Sequence, residues 1–190
     1  EKECMVEGES ALVKNYFVGK YPNKKNIGIV FEEKKNYLLF QAAGWPKSIT
    51  TVGNIISDYL KITSYPNPNQ VIDKNGIIMM RVEPLKWWVL GSDLPKIDIS
   101  QGTILDLSHS FTQIKIEGSI TPIFLNKFLP LDLREKSFPI NSIASSSIHH
   151  VSVKLLRLKN EWRLFIPRGF AFSLWTVFLT TADQFGYEIK

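Results

Sequence analysis

Asp106, Ser108 and His109 stand together in LDLSHS (105–110) and have the side chains of a hydrolytic triad. Their spacing argues against that use. On a strand, Asp106 and Ser108 point one way and His109 the other. The G-x-S-x-G sequence of a nucleophile elbow is also absent. His149 and His150 suggest a metal, but adjacent strand residues face opposite sides and no further His or Cys lies nearby in sequence. The expectation is one buried and one exposed histidine. Asp98, Asp106 and Asp132 are candidate acid–base carboxylates. Asp in a turn bonds its own backbone, so Asp132 is expected to cap its turn or pair with Arg134. There is no G-x-G-x-x-G and no Walker loop. The residues assign this chain no catalytic group, no cofactor-binding group and no metal ligand.

Totals narrow the class further. At 190 residues the chain can bury a sizeable core as one domain. Hydrophobic residues make up 44% and charged residues 22%, ordinary values for a globular protein. No apolar run reaches the length of a membrane span, and the opening EKECMVEGES lacks the pattern of a signal peptide. One cysteine, Cys4, excludes an intrachain disulfide. A cytoplasmic location with no membrane partner is expected. The net charge of +5 could serve nucleic acid, but the basic clusters are short pairs, Lys24-Lys25 and Lys34-Lys35, without an aromatic stacking signature. No nucleic-acid partner is expected.

The elements follow from hydrophobic period. Residues 1–35 read as a partly ordered arm with one short strand at 28–31. The remainder, 36–190, reads as one domain of two pseudo-repeats, about 37–91 and 104–187. Strands are expected at 37–43, 77–82, 87–91, 104–107, 111–117, 148–158 and 162–167. Ile49, Val52, Ile56, Tyr59 and Leu60 share one face of a helix over 49–60, with Ser48 as its cap. A second helix opens at Thr121 with Pro122 in its first turn and runs to about 129. A third spans 170–185 and stops at Gly186. Residues 141–147 read as a Ser-rich connection. Each half has an Arg (Arg81, Arg157) ahead of a Trp in its hairpin. The order strand–helix–strand–strand–helix, used twice, predicts an α+β fold of duplicated ferredoxin-like, split βαβ units.

Aromatic residues are in excess. Adjacent Trp87 and Trp88 face opposite sides of a strand, which leaves one of them a candidate for a surface outside the core. The last helix carries Phe170, Phe172 and Val177 off its main apolar face, as a helix that meets another chain would. FLPLDLREKSFP (128–139) reads as a brace, with leucines and Phe138 inward and Asp132 and Arg134 holding the turn or meeting a partner. Trp87, Trp88, Asp106, His109, Asp132, Arg134, Phe170 and Phe172 are therefore the candidate structural or partner-contact residues.

FLPLDLREKSFP also resembles a segment of the gamma subunit of heterotetrameric sarcosine oxidase. GWP (44–46), RVEPLKWWVLG (81–91), DLSHSFTQIKIEG (106–118), VKLLRL (153–158) and FIPRGFAFSLWTVF (165–178) resemble that family in its order, over about residues 37–187. DLSHSFTQIKIEG is also similar to the DvSHmGki segment of aminomethyltransferases, the glycine-cleavage T-proteins. Asp106, Ser108, His109 and Gly118 match, while Ser110 and Phe111 stand where Met and Gly are usual. That likeness implies the folate-binding aminomethyltransferase-domain fold. Nothing beyond Gly118 matches the transferase's catalytic region. The resemblance implies an accessory, non-catalytic subunit acting in assembly and stability. Its complex would demethylate sarcosine to glycine, with oxygen as acceptor and tetrahydrofolate taking the one-carbon unit. FAD, FMN, NAD, zinc and tetrahydrofolate would then reside on partners: larger flavin-binding alpha and beta subunits and a small zinc-binding delta subunit. The alternative is a free-standing folate-binding protein or folate-dependent one-carbon transferase.

Overall fold

The structure is a computed structural model that describes residues 9–22 and 26–190. Cys4 and the Lys24-Lys25 pair lie outside the described residues. In chain order the elements are β1 (Gly19–Tyr21), β2 (Ile29–Lys34), β3 (Leu39–Gly44), α1 (Ile49–Tyr59), β4 (Val71–Lys74), β5 (Ile77–Glu83) and β6 (Lys86–Leu90). Then come β7 (Gly102–Asp106), β8 (Phe111–Glu117), α2 (Thr121–Leu125), β9 (Ser142–Ile148) and β10 (Val151–Arg157). The chain ends with β11 (Trp162–Pro167), α3 (Ala171–Ala182) and β12 (Tyr187–Ile189).

Two sheets form, in the orders β4-β5-β6-β3-β7 and β1-β12-β2-β8-β11-β10-β9. In the first, β3, β5, β6 and β7 are strands one to four of a ferredoxin-like unit in its order 4-1-3-2. In the second, β8, β10, β11 and β12 repeat that order, with β2 inserted between β8 and β12. The duplicated α+β plan is thus the observed one. β2 enters the second sheet because Ile29 and Phe31 alternate inward, antiparallel to β8 and parallel to β12. The described part of residues 1–35 therefore supplies two strands to the second unit.

The layers run helix, sheet, sheet, helix. The middle core joins Leu39, Met80, Trp88 and Leu90 of the first sheet to Ile143, Leu156 and Phe165 of the second. An outer core sets Val52 and Ile56 of α1 against Trp87 and Val89. The other packs Phe124 of α2 and Trp175 and Phe178 of α3 against Phe31, Ile114 and Leu164. Strand alternation sorts neighbours between layers: Leu155 and Leu164 go outward, and Leu156 and Phe165 go to the middle.

Several local expectations are corrected. Residues 142–148 form a strand, pairing with β10 along its whole length. Their serines suit a strand on the margin of the sheet, where Ser145 Oγ donates to Val82 O of the facing sheet at 2.9 Å. His149 and His150 are the two-residue turn of that hairpin, at φ 46° and 67°, and both are exposed. The expectation of one buried histidine fails because neither residue is in a strand. Ser48 precedes α1 but does not cap it with its side chain. Its hydroxyl donates to Gln101 O at 2.5 Å, tying the helix start to the strand-connecting loop. α2 ends at Leu125 and relaxes into turns up to Leu129.

Candidate functional site

The triad-like residues form a corner between β7 and β8. Asp106 Oδ1 accepts the Ser108 N–H at 2.8 Å. Ser108 Oγ accepts the Leu39 N–H at 3.0 Å, binding the corner to β3. Hydrogen bonding from Ser108 holds the Asp106 carboxyl below its ordinary range, with a smaller contribution from His109. His109 is exposed, and among the described residues it takes no hydrogen bond from either neighbour. A nucleophile needs its base within reach; here serine and carboxylate are both engaged with backbone.

The other two carboxylates do the same. Asp98 Oδ1 accepts from Ser100 N at 2.8 Å and Ser100 Oγ at 2.6 Å. Asp132 Oδ1 accepts from Arg134 N at 3.2 Å and Nε at 2.8 Å, and Oδ2 from Arg134 Nη2 and Ser137 Oγ, each at 2.6 Å. Bonding to Arg134 and then Ser137 pushes the Asp132 carboxyl far below its usual range. All three aspartates thus bond the residue two places on, as Asx turns do. Around Asp132, Leu129, Leu133 and Phe138 are buried in the second unit's outer core. Phe138 stacks on Trp162 at 5.8 Å and 11°, and its carbonyl accepts from Arg157 Nη1 at 2.5 Å. The 128–139 connection is anchored from both sides.

Trp87 and Trp88 are both buried, which corrects the surface reading of one of them. Two sheets stacked face to face give β6 a core on each side. Trp87 enters the first unit's outer core and Trp88 the core between the sheets. Trp88 Nε1 donates to Gln41 Oε1 at 3.1 Å, and Lys154 Nζ lies 5.9 Å from the Trp88 ring centre. Lys154 is itself buried, bonded to Ser145 Oγ at 2.8 Å and to Glu83 Oε1 at 3.4 Å. Sequence reasoning missed this buried lysine beside the core between the sheets; its sign in the sequence is the Lys within the apolar run VKLLRL.

A polar cleft of about 140 Å³ lies where the 9–11 segment meets the 108–112 corner, Glu33, Tyr37 and Arg168. Glu33 Oε1 accepts from Ser10 Oγ at 2.5 Å. Burial pushes the Tyr37 hydroxyl well above its usual range, and that hydroxyl donates to Phe111 O at 2.6 Å. Among the described residues no group of three or more His, Cys, Asp or Glu could hold a metal ion, and no helix is long and apolar enough to cross a membrane.

Phe170, in the turn just before α3, and Phe172, in its first turn, have 53% and 44% of their surface exposed. Phe170, with Leu174 and Val177, walls an almost wholly apolar groove of about 430 Å³ whose other side is His149 and Val151. Its occupant would be apolar.

No protein-family model matches the chain. Over 69 residues it is 32% identical to sarcosine oxidase subunit gamma of Corynebacterium sp. (strain U-96), a match spanning 36% of this chain and 33% of that protein. The match thus spans a third of the length of that curated relative. In fold the chain is similar to a chain of the heterotetrameric sarcosine oxidase from Corynebacterium sp. U-96, solved in complex with pyrrole 2-carboxylate. The TM-score is 0.68 at 17% identity, covering 84% of this chain and 88% of that one. It is also similar to the glycine cleavage system aminomethyltransferase T of Bartonella henselae, with a TM-score of 0.52 at 10% identity, covering 86% of this chain and 48% of that one. The chain is thus similar in sequence, over one segment, to a sarcosine oxidase gamma subunit, and over most of its length it has the fold shared by a sarcosine oxidase chain and the aminomethyltransferase T-protein.

Proposed function

We propose that this chain is an accessory gamma-type subunit of a sarcosine oxidase complex, acting in assembly and stability. The observation that carries the reading is the 32% identity to a protein of that name. The engagement of Asp106, Ser108, Asp98 and Asp132 in local turns agrees with a non-catalytic role for this chain. In this reading the complex converts sarcosine to glycine by oxidative demethylation, with oxygen as acceptor and tetrahydrofolate receiving the one-carbon unit. The partners are larger flavin-binding alpha and beta subunits and a small zinc-binding delta subunit, in the cytoplasm, and they hold FAD, FMN, NAD, zinc and tetrahydrofolate. Phe170 and Phe172 meet a partner. Trp87, Trp88, Asp132 and Arg134 serve the fold that presents them, and Asp106 and His109 shape the corner.

Expression of the tagged chain together with its genomic neighbours tests this. One co-eluting, flavin-coloured particle that oxidises an N-methyl amino acid is expected. Phe170→Asp should lower the yield of that particle while leaving the isolated chain's unfolding midpoint unchanged, because Phe170 is half exposed. The aminomethyltransferase-like fold keeps a second reading in play, a free-standing folate-binding protein or one-carbon transferase. Saturable binding of tetrahydrofolate to the isolated chain would select it.

A further inference from the structure

Glu33 carries a buried carboxylate that its neighbours only half satisfy. Its side chain is 5% exposed. Oε1 accepts from Ser10 Oγ at 2.5 Å, while Oε2 is buried with no hydrogen bond among the described residues. A buried carboxylate calls for a donor at each oxygen, because an unmet oxygen keeps its desolvation cost. Lys35 Nζ stands 3.7 Å from Oε2, beyond hydrogen-bond reach, on a side chain that is 57% exposed. Both residues line the polar cleft at the 108–112 corner, and so does Arg168. The Arg168 N–H donates to Ser110 O at 2.9 Å, which fixes the residue over the corner. Its guanidinium donates to Glu9 O and meets no carboxylate among the described residues. A guanidinium has five donors, so most of them remain for an acceptor in the cleft. Tyr37, on the same cleft, is raised first by burial, then raised by Glu33 and lowered by Arg168, so both charges act on that one wall. The other charged or titratable groups on the walls are Glu9, Lys34 and His109, and Lys34 is held by Glu32 at 2.7 Å.

An unmet acceptor at one place and unmet donors at another suit neither a plain anion nor a plain cation. They suit a molecule that carries both charges. The cleft, at about 140 Å³, is smaller than the roughly 300 Å³ at which pockets begin to take drug-sized ligands, which limits the occupant to a few heavy atoms. We infer that this cleft binds a small zwitterionic α-amino acid, of the size of glycine or sarcosine, with its ammonium on Glu33 Oε2 and its carboxylate on Arg168. The entering ammonium takes the place of Lys35 Nζ, whose exposed side chain can swing aside. Both contacts are then charge-assisted hydrogen bonds. Every group involved lies on this chain, so the inference stands apart from the assembly reading above.

Calorimetric titration of the purified full chain with glycine, sarcosine, acetate and methylamine tests this. Glycine or sarcosine should bind saturably, and acetate and methylamine, which each carry one of the two charges, should bind about tenfold more weakly or less. Glu33→Gln keeps the shape of the side chain and removes its charge. Arg168→Gln changes an exposed residue, so it remains informative if Glu33→Gln does not fold. Each should weaken binding about tenfold, the loss of one charge-assisted hydrogen bond. Lys35→Met should tighten binding, because the ligand no longer displaces a resident ammonium. The absence of saturable binding by either amino acid overturns the inference. Acetate binding as tightly as glycine also overturns it, since the cleft would then be a plain anion site. So does amino-acid binding that Arg168→Gln leaves unchanged, or that Lys35→Met weakens.

Discussion

Arg157 lies directly across the β10–β11 ladder from Trp162, with its guanidinium 5.0 Å from the indole centre. Arg81 stands in the same relation to Trp87 across β5 and β6, at 5.3 Å. The repeat that is faint in letters is therefore exact in register at these two pairs. They differ in burial and support. The Arg157 side chain is mostly buried and also bonds Phe138 O, so guanidinium, indole and Phe138 form one stack. Arg81 bonds Pro84 O near the surface. Arg157→Ala should cost about 2 kcal/mol, from a desolvated cation–π contact and a charge-assisted hydrogen bond. Arg81→Ala should cost about half that. Denaturant unfolding of the two variants measures the difference, and equal losses would contradict it.

The adjacent tryptophans differ in one atom's surroundings. Trp88 Nε1 has Gln41 as its acceptor, while Trp87 Nε1 is buried without a partner among the described residues. Trp→Phe removes similar volume at both sites. At position 87 it also removes an unsatisfied donor, and at position 88 it strands the Gln41 amide oxygen. Trp88→Phe should therefore be the more destabilising by about 1–2 kcal/mol, read from urea midpoints.

These pairs mark how far the sequence could be read. Hydrophobic period identified β5, β6, β8, β10, β11, α1 and α3, because each buries a regular face. It missed β9, whose serines hide an edge strand, and β12, only three residues long. It could not give both tryptophans a core, since a strand between two cores looks like a strand with one exposed face until the sheets are stacked. Turn chemistry at Asp132 was legible because an Asx turn is local. The Lys154–Glu83 contact joins residues 71 apart and leaves no local trace.

Acid should weaken the 128–139 brace. The Asp132 carboxyl titrates lower in the folded chain than in the unfolded one, where its value is about 3.9. Its contribution is fully present above that value and is lost as pH falls toward the lower folded value. Asp132→Asn should unfold at a lower temperature than the parent at neutral pH. The two melting curves should converge as pH drops below about 4. A gap that persists in acid would mean the carboxylate charge is not what holds the turn.

Three glycines should respond differently to a methyl group. At Gly118, φ is +118° and an added Cβ would meet Gly28 O at 2.2 Å. At Gly102 it would meet Ala43 O, also at 2.2 Å, within the β3–β7 pair. Nothing lies within 4 Å of the corresponding position at Gly169. Gly118→Ala should destabilise by about 3 kcal/mol or abolish folding, and Gly102→Ala should force β7 away from β3. Gly169→Ala or Gly169→Ser should change stability by no more than about 0.5 kcal/mol. Melting temperatures of the set decide this, and a tolerant position 118 would place the Gly28 backbone elsewhere.

The β9–β10 turn carries strain that can be removed. His149 and His150 both adopt left-handed backbone angles, which an L-residue with a Cβ disfavours by roughly 1 kcal/mol each. Two-residue hairpin turns of this kind favour Asn-Gly. Nothing else holds the imidazoles: both are exposed, and neither makes a hydrogen bond among the described residues. His149→Asn with His150→Gly should therefore raise stability by about 1 kcal/mol, seen as a higher urea midpoint with an unchanged slope. Because His149 also forms one wall of the Phe170 groove, the same double variant separates two roles. Higher stability with unchanged assembly makes the histidines passive turn residues. Higher stability with weakened assembly means that the strained turn is kept because a partner rests on His149.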